Sequence, residues 1–144
     1  MDWTPPDGTE QKRESTPQAR LQWYELPDGT LHGPRSTWHL DSDQKKMCTT
    51  YRRGQRAGPC AAWYPNAQIR TQGAFVDDEP DGAWISYYED GALLQEWNYD
   101  MGEVHGPMRS YYGNGQIART SNWIHNEEEG QVQIFLESGT LNTQ

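Results

Sequence analysis

Residues 82–105 read GAWISYYEDGALLQEWNYDMGEVH, and residues 106–129 read GPMRSYYGNGQIARTSNWIHNEEE. The two segments share one order of parts. An opening Gly is followed by an aromatic pair (Tyr87-Tyr88, Tyr111-Tyr112), a turn signal (Asp90-Gly91, Asn114-Gly115), an aliphatic residue (Leu93, Ile117) and a late ring (Tyr99, Trp123). Working outward, the same order recurs at 58–81 and at 33–57, the latter with one extra residue after Leu40. Half repeats flank these at 21–32 and 130–144. A fixed period of 24 residues indicates a stacked-repeat architecture.

The punctuation decides between helix and strand. Asp-Gly and Asn-Gly are strong hairpin signals, because a type I′ turn requires φ > 0 at both central residues. Strands of five to seven residues joined by short turns must be antiparallel neighbours. Each repeat is therefore expected to be strand, tight turn, strand, and then a looser turn of five or six residues. The expected fold is all-β: an antiparallel up-and-down β-hairpin array of about ten strands. It forms a single repeat domain over 21–144, preceded by a flexible N-terminal arm at 1–20 that carries no repeat.

Composition agrees with strands packed through rings. Leu, Ile, Val and Phe supply only 18 of 144 residues, whereas Trp and Tyr supply 15. Each large ring buries about 150–250 Å², so an aromatic core replaces an aliphatic one. No run approaches the roughly 20 apolar residues of a membrane-crossing helix, and no apolar stretch near the start resembles a secretion signal. These points lead to a cytoplasmic expectation without membrane insertion. In the reducing compartment that follows, Cys48 and Cys60 are expected to remain thiols, although a cross-strand pairing stays open because the register is uncertain by one residue.

Charge is unevenly placed. Residues 1–76 carry ten Lys/Arg against eight Asp/Glu, and residues 77–144 carry two Arg against thirteen acids. The formal net charge of −9 argues against direct nucleic-acid binding. Sign asymmetry of this kind points to a basic partner for the acidic half.

Catalytic and metal chemistry find little support in the pattern. The serines lack a nucleophile-elbow context, and the glycines are spaced by hairpins instead of clustering before a helix. His32 and His105 hold the same repeat position three repeats apart, too far to share an ion. No catalytic, metal or cofactor site is expected, and the chain is not expected to be an enzyme.

The phrase GxxxxYYxxGxLxxxxxYxxGxxHG, clearest between Gly82 and Gly106 with YYEDG, Asn98-Tyr99 and His105-Gly106, resembles the MORN-repeat variant family. The resemblance spans about 22–142, with Ser42 and Ala67 departing from the turn Gly. It implies a non-enzymatic hairpin array acting through protein contacts, often as a bacterial antitoxin or immunity protein. On that basis the expected function is sequestration of a cognate, basic, nuclease-like toxin by occlusion. A rival expectation is a scaffold or ligand-binding module holding glycan or peptide on the aromatic sheet face.

The candidate partner-binding residues follow from repeat geometry. Turns at equivalent positions project from one edge, which collects Asp77, Asp78, Glu79, Asp81, Asp100, Glu103, Glu127, Glu128 and Glu129. Neighbours such as Tyr87-Tyr88 point to opposite faces, so one ring of each pair lies outside the face that buries the other. Trp63, Trp84, Tyr88 and Tyr112 are the expected aromatic anchors.

Overall fold

The computed structural model describes residues 4–6, 8–17, 19–40 and 42–143. Among them lie twelve strands and no helix. In chain order these are β1 (Glu10–Thr16), β2 (Ala19–Glu25), β3 (Gly33–Trp38), β4 (Lys45–Arg52), β5 (Gln55–Trp63) and β6 (Ile69–Val76). They continue with β7 (Glu79–Tyr87), β8 (Leu93–Asp100), β9 (Glu103–Val104), β10 (Gly106–Tyr111), β11 (Ile117–Ile124) and β12 (Glu127–Ile134). All belong to one antiparallel meander in which sequence neighbours pair, while β9 and β10 both pair β8. No helix among the described residues is long and apolar enough to cross a membrane.

The strand count exceeds the expected ten for two reasons. The strand opening the 106–129 repeat is interrupted at His105, which separates β9 from β10. The sheet also begins earlier than expected, because Glu10–Thr16, placed within the arm by sequence, pair residue for residue with Ala19–Glu25. That segment is wholly polar, so no apolar alternation marked it as a strand; main-chain pairing to the edge of β2 holds it. Its charged residues suit an edge strand, where they discourage pairing with another chain. Asp41, the residue that lengthens the 33–57 repeat, lies outside the described residues.

The two kinds of turn are exchanged relative to expectation. The Asp90-Gly91 and Asn114-Gly115 turns are not type I′, since only the glycines have positive φ, 90° and 84°. Gly91 donates its N–H to the Tyr88 carbonyl, and Tyr88 donates to the Ala92 carbonyl, so the loop is a type I turn closed by a left-handed Gly. The Asp90 carboxylate accepts the Ala92 N–H at 2.9 Å, and Asn114 does the same for Gln116. Type I′ geometry occurs instead between repeats, where five or six residues were expected and two are found. Arg53-Gly54, Asp77-Asp78, Met101-Gly102 and His125-Asn126 all have positive φ at both positions.

These two-residue turns lock each repeat to the one before. Gly54, Asp78, Gly102 and Asn126 donate their N–H groups to the carbonyls of Leu31, Arg56, Pro80 and Val104 at 2.7–3.0 Å. Asp78 and Asn126 also return the bond, accepting the Arg56 and Val104 N–H groups on their side-chain oxygens at 2.8 Å. The short Asp and Asn side chains tolerate the left-handed conformation that this exchange requires.

Gly58, Gly82 and Gly130 each mark a bulge inside a strand, whereas Gly33 and Gly106 begin β3 and β10. Two steps along β4, from Thr49 to Tyr51, face four along β5, from Cys60 to Arg56. The same two-against-four mismatch joins β6 to β7 and β11 to β12. Such bulges bend and twist the sheet.

The sheet is a single layer. Ala62 is the only buried hydrophobic residue among those described, and no large side chain is fully buried. Packing is strongest on one face, where Trp84 meets Phe75 edge-on at 5.4 Å, Tyr99 edge-on at 5.9 Å and Trp97 stacked at 6.3 Å. Register places Cys48 opposite Ala61 and Thr49 opposite Cys60, and both thiols are free.

Candidate functional site

The acidic edge is assembled by the type I′ turns. They recur every two strands, about 10 Å apart at ~4.8 Å per strand, so the turns at 77–78, 101–102 and 125–126 form a row along one margin of the sheet. The structure divides its carboxylates into two groups. Asp78 pairs with Arg56 at 3.3 Å, Glu103 accepts from His125 Nδ1 at 2.6 Å, and Glu128 pairs with Arg119. Asp81 accepts the Met101 N–H at 3.1 Å. These four serve the fold. Asp78 has its carboxyl held below the usual range by the Arg56 backbone N–H, with the Arg56 side chain adding to the effect.

Asp77, Glu79, Asp100, Glu127 and Glu129 are exposed and have no ion-pair partner among the described residues. Asp100 also sits directly across from Glu103 in the pair that closes its turn. Like charges in that relation are destabilising, and only Glu103 has a side-chain hydrogen-bond partner, His125.

The four expected aromatic anchors do not lie together. Trp84 is the centre of the ring cluster described above, with its buried Nε1 unpartnered. Tyr88 and Tyr112 are half-buried tethers: their hydroxyls donate to the Tyr111 and Phe135 carbonyls at 2.8 Å. Tyr64 holds the Tyr87 carbonyl in the same way at 2.9 Å, and His39 Nε2 takes the role toward Trp63 in the first full repeat. The second ring of each aromatic pair thus ties one repeat to the next.

Trp63 belongs to a different place, on the face opposite Trp84. Alternation along β2 to β5 brings Tyr24, Pro34, Pro59 and Trp63 to one side, where they wall an open cavity of about 420 Å³. Ser36 lies within it; the residue is only 5% exposed, and its hydroxyl has no hydrogen-bond partner among the described residues. Gln22 and Thr50 add polar groups: Gln22 Nε2 donates to the Tyr24 hydroxyl, leaving its side-chain carbonyl open, and the Thr50 hydroxyl donates to the Pro59 carbonyl. Lys45 stands exposed at the margin without an ion-pair partner among the described residues.

Sequence reasoning identified Trp63 but missed this cavity. The signal was the third residue after each opening glycine: Ser36 and Ala61 are small, whereas Ile85 and Arg109 occupy the equivalent places later in the chain. The groove exists where that column is narrow.

The MORN repeat variant family model matches residues 80–101 and 104–125, two consecutive repeats. No curated protein matches the chain. Among solved structures, a crystal structure of TarM is similar at 14% identity and a TM-score of 0.34. A mutant of S. aureus TarM in complex with Fondaparinux, alpha-GlcNAc-glycerol and UDP is similar at 14% identity and a TM-score of 0.32. Each comparison covers 85% of this chain and 21% of the other, so the chain spans about a fifth of their length.

Proposed function

We propose that this chain, which carries MORN repeats of the variant type, is a cytoplasmic, non-enzymatic immunity or antitoxin protein that occludes a basic, nuclease-like toxin. The observation that carries the reading is a set of exposed carboxylates in and beside the row of type I′ turns, without an ion-pair partner among the described residues: Asp77 in a turn, Glu79, Asp100 and Glu127 at the adjoining strand ends, and Glu129 two residues into β12. Clustered like charge opposes the compact state, and a basic partner relieves that cost while being steered to the edge. The single-layer sheet supports the same reading, because its half-buried rings leave apolar area for an interface.

The test is affinity capture from the native host followed by mass spectrometry, then binding kinetics with the captured protein. A basic protein is expected, with an association rate that falls steeply as salt rises. Neutralising the five unpaired carboxylates, while keeping Asp78, Asp81, Glu103 and Glu128, should slow association and flatten that salt dependence. Capture of an acidic partner, or an association rate unchanged by the five substitutions at low salt, overturns the proposal.

A further inference from the structure

The groove across β2 to β5 has features that the acidic edge does not use. It crosses four strands, from Gln22 on β2 to Trp63 on β5. Three spacings of ~4.8 Å give a length of about 14 Å. A polyproline II segment rises about 3.1 Å per residue, so four to five residues fill that length.

The groove's chemistry narrows the occupant. Its walls are two large rings and two prolines: Tyr24, Trp63, Pro34 and Pro59. Three of its uncommitted polar groups can donate, and the Gln22 side-chain carbonyl can accept. The Ser36 hydroxyl, the Trp63 indole N–H and the Lys45 ammonium have no hydrogen-bond partner among the described residues, and no carboxylate is among the described lining residues. The Ser36 hydroxyl opens onto the groove without a protein partner, so a ligand acceptor can take the place of water there. Proline residues present a carbonyl acceptor and no N–H donor. A proline-rich segment, which brings carbonyl acceptors and apolar rings, therefore matches the Ser36, Trp63 and Lys45 donors set between aromatic walls. Lys45 adds positive charge at one end.

We propose that this groove binds an extended, proline-rich segment of a partner protein, flanked by acidic residues that meet Lys45. Proline rings pack against Tyr24 and Trp63, as in other aromatic-lined grooves that recognise polyproline II. Carbonyls of the segment accept from Ser36 and the Trp63 N–H. The site is separate from the acidic edge and independent of any role in immunity.

The experiment titrates the full-length, ¹⁵N-labelled chain with a synthetic peptide of five prolines followed by two aspartates, blocked at both ends. A parallel titration uses cellohexaose. The peptide is expected to give saturable shifts at the Trp63 indole and at the Ser36 and Thr50 amides, and the sugar none. Trp63→Phe keeps a ring and removes the N–H, and should weaken binding roughly fivefold, the value of one ordinary hydrogen bond. Lys45→Ala, at an exposed position, should weaken binding and remove its salt dependence. Ser36→Ile, which copies the residue at the equivalent place in the 82–105 repeat, should abolish binding by filling the groove. Thermal melts confirm that each variant is folded; should Ser36→Ile fail to fold, Trp63→Phe and Lys45→Ala decide. Absence of saturable shifts, shifts confined to the Trp84 face, binding unchanged by Trp63→Phe and Lys45→Ala, or preference for the sugar each overturns the proposal.

Discussion

Replacing Gly73 by Ala should destabilise the protein far more than one methyl group ordinarily does. Gly73 lies on β6, and a Cβ placed there would sit 2.2 Å from Trp84 Cδ2, 2.3 Å from Cε2 and 2.7 Å from Cγ. The atoms in the way belong to the body of the indole, so the whole ring must move. Trp84 is the shared member of the pairs with Phe75, Trp97 and Tyr99. Each aromatic pair is worth about 0.5–1.5 kcal/mol beyond area burial, and overpacking alone costs about 1–3 kcal/mol. Some pairs will re-form in a shifted geometry, so the expected loss is about 2–4 kcal/mol. Melting temperature should fall by about 4–16 °C at the ~2–4 °C per kcal/mol typical of this chain length. Urea denaturation of Gly73→Ala, Trp84→Ala and the double variant separates this cause from others. If the indole is the obstacle, Gly73→Ala should be nearly neutral in the Trp84→Ala background. A loss below about 0.5 kcal/mol, the range of an ordinary surface substitution, refutes the reasoning, and so does a loss that persists without the indole.

Three further outcomes are expected. Ala67 occupies the left-handed position that Gly holds in the next three turns, with φ 70°; Ala67→Gly should raise stability by about 0.5–1 kcal/mol, as relief of strain outweighs the added chain entropy, measured by urea melts. Asn66 and Asn114 donate across repeats to the Glu89 and Glu137 carbonyls, a bond that Asp90 cannot make; Asp90→Asn should add about 0.5–1.5 kcal/mol, read from the same melts. Asp78 has a lowered folded-state pKa, caused first by the Arg56 backbone N–H. Its contribution is therefore present above the unfolded value and lost as pH falls below about 4. Asp78→Asn keeps the acceptor that Asn126 uses two repeats later, and should remove that part of the acid-side loss in stability measured against pH.

How much of this was legible in the sequence follows from which forces leave a sequence mark. The period, the antiparallel meander and the aromatic packing were readable because glycine spacing and ring positions repeat visibly from Gly33 to Leu141. The turns were misread because Asp-Gly and Asn-Gly are the strongest local type I′ signals, yet local preference did not decide. Asp-Asp and His-Asn take up type I′ geometry because the turn's second residue, Asp78 or Asn126, exchanges bonds with the preceding repeat, a gain that no two-residue window contains. β1 was invisible for the opposite reason: pairing to an existing edge uses the main chain, so a polar stretch with no apolar alternation can still form a strand.

The candidate sites follow the same logic, since each repeat column is one place in the sheet with a fixed amount of room. The column holding Thr49, Gly73, Trp97 and Ser121 has its smallest residue at Gly73, where the body of the Trp84 indole occupies the place of a side chain. The column holding Ser36, Ala61, Ile85 and Arg109 leaves a groove where its members are small and closes it where they are large. Reading a repeat by what is common yields the fold. Its recognition chemistry lies in what differs at one column, because identical backbones turn a side-chain difference directly into a difference in surface shape and charge. Trp63 and Trp84, both read from sequence as anchors, come apart on this ground: one walls a groove opened by Ser36 and Ala61, and the other fills the space left by Gly73.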